Sequence, residues 1–294
     1  MEIGLLMLVG GVATGVFGSL LGLGGGVLIV PLLTLAFGLD LREAVGVSLV
    51  CVIVTSGASA SVYLQRNVAN LRLGMLLELF TATGAVVGGA VAFLLDERMI
   101  AGLFAVLLAY VAVTMLGRAR GDATETPVPE ALEPTTPDGI EPSPGEDVAV
   151  PDLPASGANT AIDRLSGPGY RVRNLRIGAV GSVFAGVVSA LLGIGGGIVK
   201  VPVMHLVMGV PLRVSTATSN LMIGITASTS AIVYLIRGGI DPHVAGPTVV
   251  GVFLGATLGS RTAHRVDLRL LRFLFVAVLL YTAFEMARRA LGIA

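Results

Sequence analysis

LLGIGGGIVKVP, residues 191–202, is the stretch whose reading decides the fold. Three consecutive glycines, Gly195, Gly196 and Gly197, interrupt an apolar run, and each costs about 1 kcal/mol in a helix relative to alanine. Pro202, five residues after the last of them, restricts the turn that follows. A helix running through this stretch is therefore expected to break and restart. Just past the break stands Lys200, the single lysine in a chain with 18 arginines.

The surroundings on both sides are apolar. The 294 residues are 54 % hydrophobic and 13 % charged, with no tryptophan and a formal net charge of zero, and the mean hydropathy is +0.89. Such a composition lies far outside that of soluble globular domains. Apolar runs long enough for spanning helices, about 20 residues each, cover residues 3–38, 44–64, 73–95, 99–117, 177–210, 214–236, 244–260 and 270–287. The expected fold is an all-α polytopic membrane protein of about eight transmembrane helices. The blocks 3–38 and 177–210 exceed one crossing, as broken or re-entrant helices would.

The opening MEIGLLMLVGGVATGVF carries Glu2 where a cleaved signal peptide has basic residues, so it reads as a retained first membrane segment. A single cysteine, Cys51, excludes an intrachain disulfide and a cysteine-rich metal site. The balanced charge gives no reason to expect a nucleic-acid partner.

The deciding stretch occurs twice. With a shift of 171 residues, GVFGSLLGLGGGVLIVP (15–31) falls on GVVSALLGIGGGIVKVP (186–202). The same register aligns Gly38 with Gly209, Arg42 with Arg213, Ser48 with Ser219, Gly84 with Gly255, Gly88 with Gly259 and Asp96 with Asp267. Matches that include loop charges and extend over four successive apolar blocks exceed what shared greasiness produces. Residues 1–117 and 173–294 are thus expected to be two homologous repeats of about four helices each. Internal repeats of this kind point to transporters that rock two halves about a central site.

Between them, residues 122–163 hold ten carboxylates, no basic residue and many prolines. Residues 118–172 are expected to form a disordered acidic linker. Arg118 and Arg120 before it, and Arg171, Arg173 and Arg176 after it, place it on the cytoplasmic side of a prokaryotic plasma membrane by the positive-inside rule. Whether the repeats run parallel or inverted depends on whether each long first block crosses once or twice. Arginine placement favours inversion, and the short length of residues 27–38 opposes it.

Broken backbone is too costly against lipid, so Gly24, Gly25 and Gly26, like Gly195, Gly196 and Gly197, should pack inside the protein or line a wet cavity. Helices restarting there present unpaired N–H groups and a positive dipole end, which suit a small anionic substrate. Pro31 and Pro202 mark the structural side of these breaks. A lysine at membrane depth marks a site by default, so Lys200 is expected to face the cavity and add positive charge. Its counterpart in the first repeat is Ile29. Ser48, Ser219 and Asn220 supply hydrogen-bond donors without a formal charge. Glu78 and His205 are the candidates for proton coupling. The glycines spaced by four, Gly84 and Gly88 with Gly251, Gly255 and Gly259, read as close helix packing, and Glu285 as a partner of Arg288 or Arg289.

The pattern GVFGSLLGLGGGVLIVP with GVSL, repeated as GVVSALLGIGGGIVKVP with ATSN, resembles the TauE/SafE family of membrane permeases, also called the toluene sulfonate uptake permease family. The resemblance covers both repeats and leaves out only the linker. It implies a two-repeat secondary transporter, and no enzyme, for small sulfur-containing anions such as sulfite, sulfonates or sulfoacetate, with export as the direction. It requires no cofactor or metal. The partners expected are a small anionic substrate and the lipid bilayer, with a coupling ion, proton or sodium, and homo-oligomerisation left open. The family's Gly-Thr-Ser-Leu is altered here at Val47 and Asn220, which leaves the substrate open. GIGGGIVK lacks the spacing of a nucleotide-binding loop, and His205, His243 and His264 are too scattered for a catalytic metal. A chain lacking residues 125–160 is expected to insert and transport as the intact chain does. An inserted but inactive deletion, in a flux assay, would give the linker a role beyond tethering.

Overall fold

The computed structural model describes residues 2–20, 26–65, 69–121, 165–166, 170–262 and 268–293. All secondary structure among them is helical apart from an isolated bridge at Tyr170. In chain order the helices are α1 (Glu2–Leu20), α2 (Gly26–Pro31), α3 (Leu41–Gln65), α4 (Leu71–Ala92), α5 (Glu97–Gly121), α6 (Leu175–Leu192), α7 (Gly197–Pro202), α8 (Leu212–Ile236), α9 (Pro242–Thr262) and α10 (Leu268–Ala290). Among the described residues ten helices stand where about eight were expected: the second long block divides at its glycines into α6 and α7, and α1 and α2 flank residues 21–25, which lie outside the described residues.

Both short helices end on a proline and widen into a π turn, Leu32–Ala36 after α2 and Val203–Val207 after α7. Proline lacks the N–H that would close the regular ladder, and π turns are one way a helix absorbs such a defect. A left-handed glycine then stops each unit, Gly38 at φ +68° and Gly209 at φ +70°. The bounds of α2, its π turn and α3 become those of α7, its π turn and α8 on adding 171.

Length and composition suffice for crossing a bilayer in Leu71–Ala92, Glu97–Leu116, Leu175–Leu192 and Val214–Ile236. The apolar segments Ile3–Gly18, Gly26–Ala36 and Gly197–Val207 are shorter. The last two, at about 17 Å of helix, fall well short of a hydrocarbon core of about 30 Å. Leu79, Val106, Val180 and Phe284 are among the large apolar side chains exposed on the outside, a surface suited to lipid.

Packing is reciprocal between the halves. α1 lies on α9 and α4 on α6, α3 meets α8, and α5 meets α10. Glycine sets the two closest crossings. A Cβ at Gly84 would strike the Val183 carbonyl, and one at Gly186 the Thr81 carbonyl. On the other crossing, Gly255 faces the Val12 carbonyl and Gly251 that of Leu8. These positions carry the close packing that the fourfold spacing of glycines suggested.

Residues 122–164 and 167–169 lie outside the described residues, and with them most of the stretch expected to be disordered. Its edges differ from expectation. Residues 118–121 continue α5, and Leu165, Ser166 and Tyr170–Val172 are folded against the helices. Asn70 is the hub: its Oδ1 caps α4 by accepting from Leu73 N at 3.0 Å, while its Nδ2 donates to Leu165 O at 2.8 Å and Tyr170 Oη at 2.7 Å. Val172 is 2 % exposed and packs with Leu73, Leu77, Met204, Met208 and Met222. The acidic, proline-rich character ends before Leu165, so these apolar residues have a core to join.

Candidate functional site

The second glycine break lies in the interior. α6 ends at Leu192 on Gly193, left-handed at φ +69°. Gly195 and Gly196 follow at φ +76° and +74°, a region that residues with a Cβ rarely enter. A Cβ at Gly196 would also sit 2.9 Å from the Ala185 carbonyl. α7 starts at Gly197, with Val199 N and Lys200 N both donating to Gly196 O, at 3.2 and 3.1 Å.

Of the first glycine triplet only Gly26, the first residue of α2, is described; Gly24 and Gly25 lie outside the described residues. Gly26 approaches so closely that its Cβ would be 3.0 Å from Gly193 O. Ser48, fully buried, joins the two: its hydroxyl donates to Gly193 O at 2.7 Å, with Gly26 O at 3.2 Å. Ser48 thus links the start of α2 to the second glycine break.

Ser219 lies beside the second break, its Oγ 3.5 Å from where a Gly197 Cβ would be. It is 1 % exposed and has no hydrogen-bond partner among the described residues. Ser189, fully buried, shares that condition, and its Cβ is 3.2 Å from where a Gly196 Cβ would stand. A buried polar group left without a partner costs about 1–3 kcal/mol and calls for an explanation such as an absent ligand. Ser189 was not singled out from sequence, although it lies inside the quoted repeat, where the first half has Gly18. Asn220 is half-buried, and its carbonyl accepts from Ser56 Oγ at 3.2 Å.

Lys200 is 2 % exposed and paired, where an open cavity was expected. Its Nζ lies 3.1 Å from Glu78 Oε2 and donates also to Thr226 Oγ1. Thr226 Oγ1 in turn donates to Glu78 Oε1 at 2.6 Å, with Met222 O at 3.0 Å. Glu78 comes from α4, Lys200 from α7 and Thr226 from α8, so three elements close one polar knot around a net charge of zero. Two candidates that sequence kept apart, the lysine and the carboxylate, are one unit. The equivalent positions 171 residues away are Ile29, in the main apolar core, Val249, half-buried against it, and Thr55, whose hydroxyl donates to Cys51 O at 3.1 Å.

His205 stands away from this knot in the π turn, its Nδ1 2.9 Å from Val210 O. Pro31 and Pro202 close the short helices. Arg288 pairs with Glu285 at 3.2 Å, one of the two partners expected.

Apolar helices interlocked around two short ones, with a lysine–glutamate pair and several hydroxyls buried among them, fit an integral membrane protein of the transport class. Residues 7–286 match the family described as Sulfite exporter TauE/SafE, and the chain belongs to that family of membrane transporters. A probable membrane transporter protein of Bacillus subtilis strain 168, YunE, is 24 % identical over 282 residues, spanning 94 % of both chains. The probable membrane transporter protein MamO of Magnetospirillum gryphiswaldense is 26 % identical over 93 % of this chain and 43 % of its own length. Sulfite exporter TauE/SafE family protein 6 of Arabidopsis thaliana is 34 % identical over 85 residues, 29 % of this chain and 20 % of its own. No solved structure matches the chain.

Proposed function

We propose that the protein is a secondary transporter that exports small sulfur-containing anions, such as sulfite, sulfonates or sulfoacetate, across a prokaryotic plasma membrane. The observation that carries the site is the pair of buried hydroxyls beside the glycine break, Ser189 and Ser219, which have no hydrogen-bond partner among the described residues. They offer donors to the oxygens of a sulfo group, together with the N–H groups of the restarting helix. Lys200, in the last turn of that six-residue helix, supplies the charge that would make the site selective for anions. The two repeats would alternate access by moving against each other around these breaks; the 171-residue spacing of helix bounds and the reciprocal packing support that layout.

The test is flux into proteoliposomes of sulfite, sulfate, taurine, sulfoacetate and chloride. Saturable movement of one sulfur anion in preference to chloride is expected. Ser189→Ala and Ser219→Ala are each expected to raise the apparent KM about tenfold, the equivalent of one lost hydrogen bond of about 1.4 kcal/mol. Unsaturable flux indifferent to the anion would indicate a channel. No flux from folded, oriented protein would remove sulfur anions as the cargo.

A further inference from the structure

An anion bound at Lys200 would meet a lysine that already has a counterion. Glu78 Oε2 lies 3.1 Å from its Nζ, and Thr226 bridges the ammonium to Glu78 Oε1. Both charged side chains are almost entirely buried, 1 % and 6 % exposed. An anion reaching Lys200 while Glu78 stays ionised would place two negative groups against one positive group in the interior. Uncompensated buried charge is far costlier than a lost hydrogen bond.

The balance is restored if Glu78 gains a proton as the anion arrives. Taking the anion-binding reading of the site as its basis, we infer that Glu78 is the coupling-ion site of the transporter, a carboxylate that carries one proton with each anion while Lys200 exchanges Glu78 for the substrate. A proton from the open aqueous side bonds to Glu78 Oε2 as the Lys200 N–H donors turn to an anion oxygen. On the far side the anion leaves, the proton returns to water and the ion pair closes again. Only a proton and an intact anion cross.

The surroundings of Glu78 support a single exchange partner. Its own helix bears Arg72, exposed in the first turn. Of the elements packed against α4, α6 begins with the exposed Arg176 and α8 has Arg213 in its first turn and Arg237 at its C-terminal cap; α7 and its π turn, which reach α4 through Lys200 and Met204, have Lys200 and His205. His205 is engaged with Val210 O. Lys200 is the charged partner that contacts the carboxylate. The other half offers no second carboxylate, since Val249 stands at the equivalent position.

The experiment follows protons and anions together in proteoliposomes whose membrane potential is clamped with potassium and an ionophore. Sulfoacetate is one probe, because near neutral pH it is fully ionised and brings no proton of its own; sulfite is run beside it. Wild type is expected to move about one proton per sulfoacetate in the same direction, the stoichiometry of a single intramembrane carboxylate. Glu78→Gln is expected to abolish that proton movement and the response of its flux to an imposed pH gradient. Thr226→Val, which removes the bridge but keeps both charges, should retain the proton ratio. Wild-type anion flux without protons, or an unchanged ratio in Glu78→Gln, would overturn the inference even with anion transport intact. The wild-type ratio decides the matter should Glu78→Gln fail to fold. Absence of any anion flux in wild type would instead strike the anion reading itself.

Discussion

Lys200→Gln is expected to lower apparent anion affinity about 100-fold or to abolish saturable flux, because a charge-assisted hydrogen bond to the substrate is worth about 1.5–3 kcal/mol. The same change should also destabilise the fold. It leaves Glu78, buried at 4 % exposure, without its cation, and removing one partner of a buried pair costs about 3–5 kcal/mol. The two effects separate in the double variant Lys200→Gln with Glu78→Gln. Two neutral amides can share hydrogen bonds with Thr226, so stability should return toward wild type while anion flux should not. A thiol-reactive dye provides the stability readout, since the fully buried Cys51 becomes available only on unfolding. Wild-type flux in a folded Lys200→Gln protein would remove the lysine from the site.

The second large effect belongs to the glycine crossings. Gly186→Val is expected to prevent folding, and Gly84→Ala to cost about 3 kcal/mol, the upper range for overpacking a tight interior. At both positions the added carbon runs into a backbone carbonyl on the facing helix, Thr81 or Val183, and not into the end of a flexible side chain. Relief therefore requires α4 and α6 to separate along their length. Gly57→Ala and Gly246→Ala serve as controls, because nothing lies within 4 Å of a Cβ at either site. Dye-monitored thermal midpoints that shift equally in all these variants would show that glycine content, and not the crossing, governs stability.

Much of the architecture was legible because its causes are local. The break at the second glycine triplet and the prolines that end the short helices follow from the conformational limits of those residues; the left-handed stops at Gly38 and Gly209 obey the same limits, although sequence marks those glycines only as a repeat match. Packing glycines announced themselves by their spacing along α4 and α9. What sequence could not show was the partner of Lys200. Glu78 is 122 residues away, and nothing in its own stretch, LGMLLELFTATG, distinguishes an interfacial carboxylate from an interior one. Ser189 was missed for a related reason: a serine one turn before a helix end ordinarily satisfies itself on the carbonyl four residues back, and here it does not. The folding of Leu165, Ser166 and Tyr170–Val172 against the helices was hidden by composition, since the acidic stretch before them dominated the reading.

The reciprocal packing has a consequence for how the chain comes to be made. α1 presents Gly11 and Gly15 to the backbone of α9, and α9 is synthesised more than 200 residues later. Until then α1 offers the bilayer a furrow that lipid tails fill poorly. The first half must therefore wait in the membrane as an unfinished body, its assembly completed from outside by the second. Chaperoning of that interval, and not insertion of any single helix, is the step of biogenesis on which yield should depend.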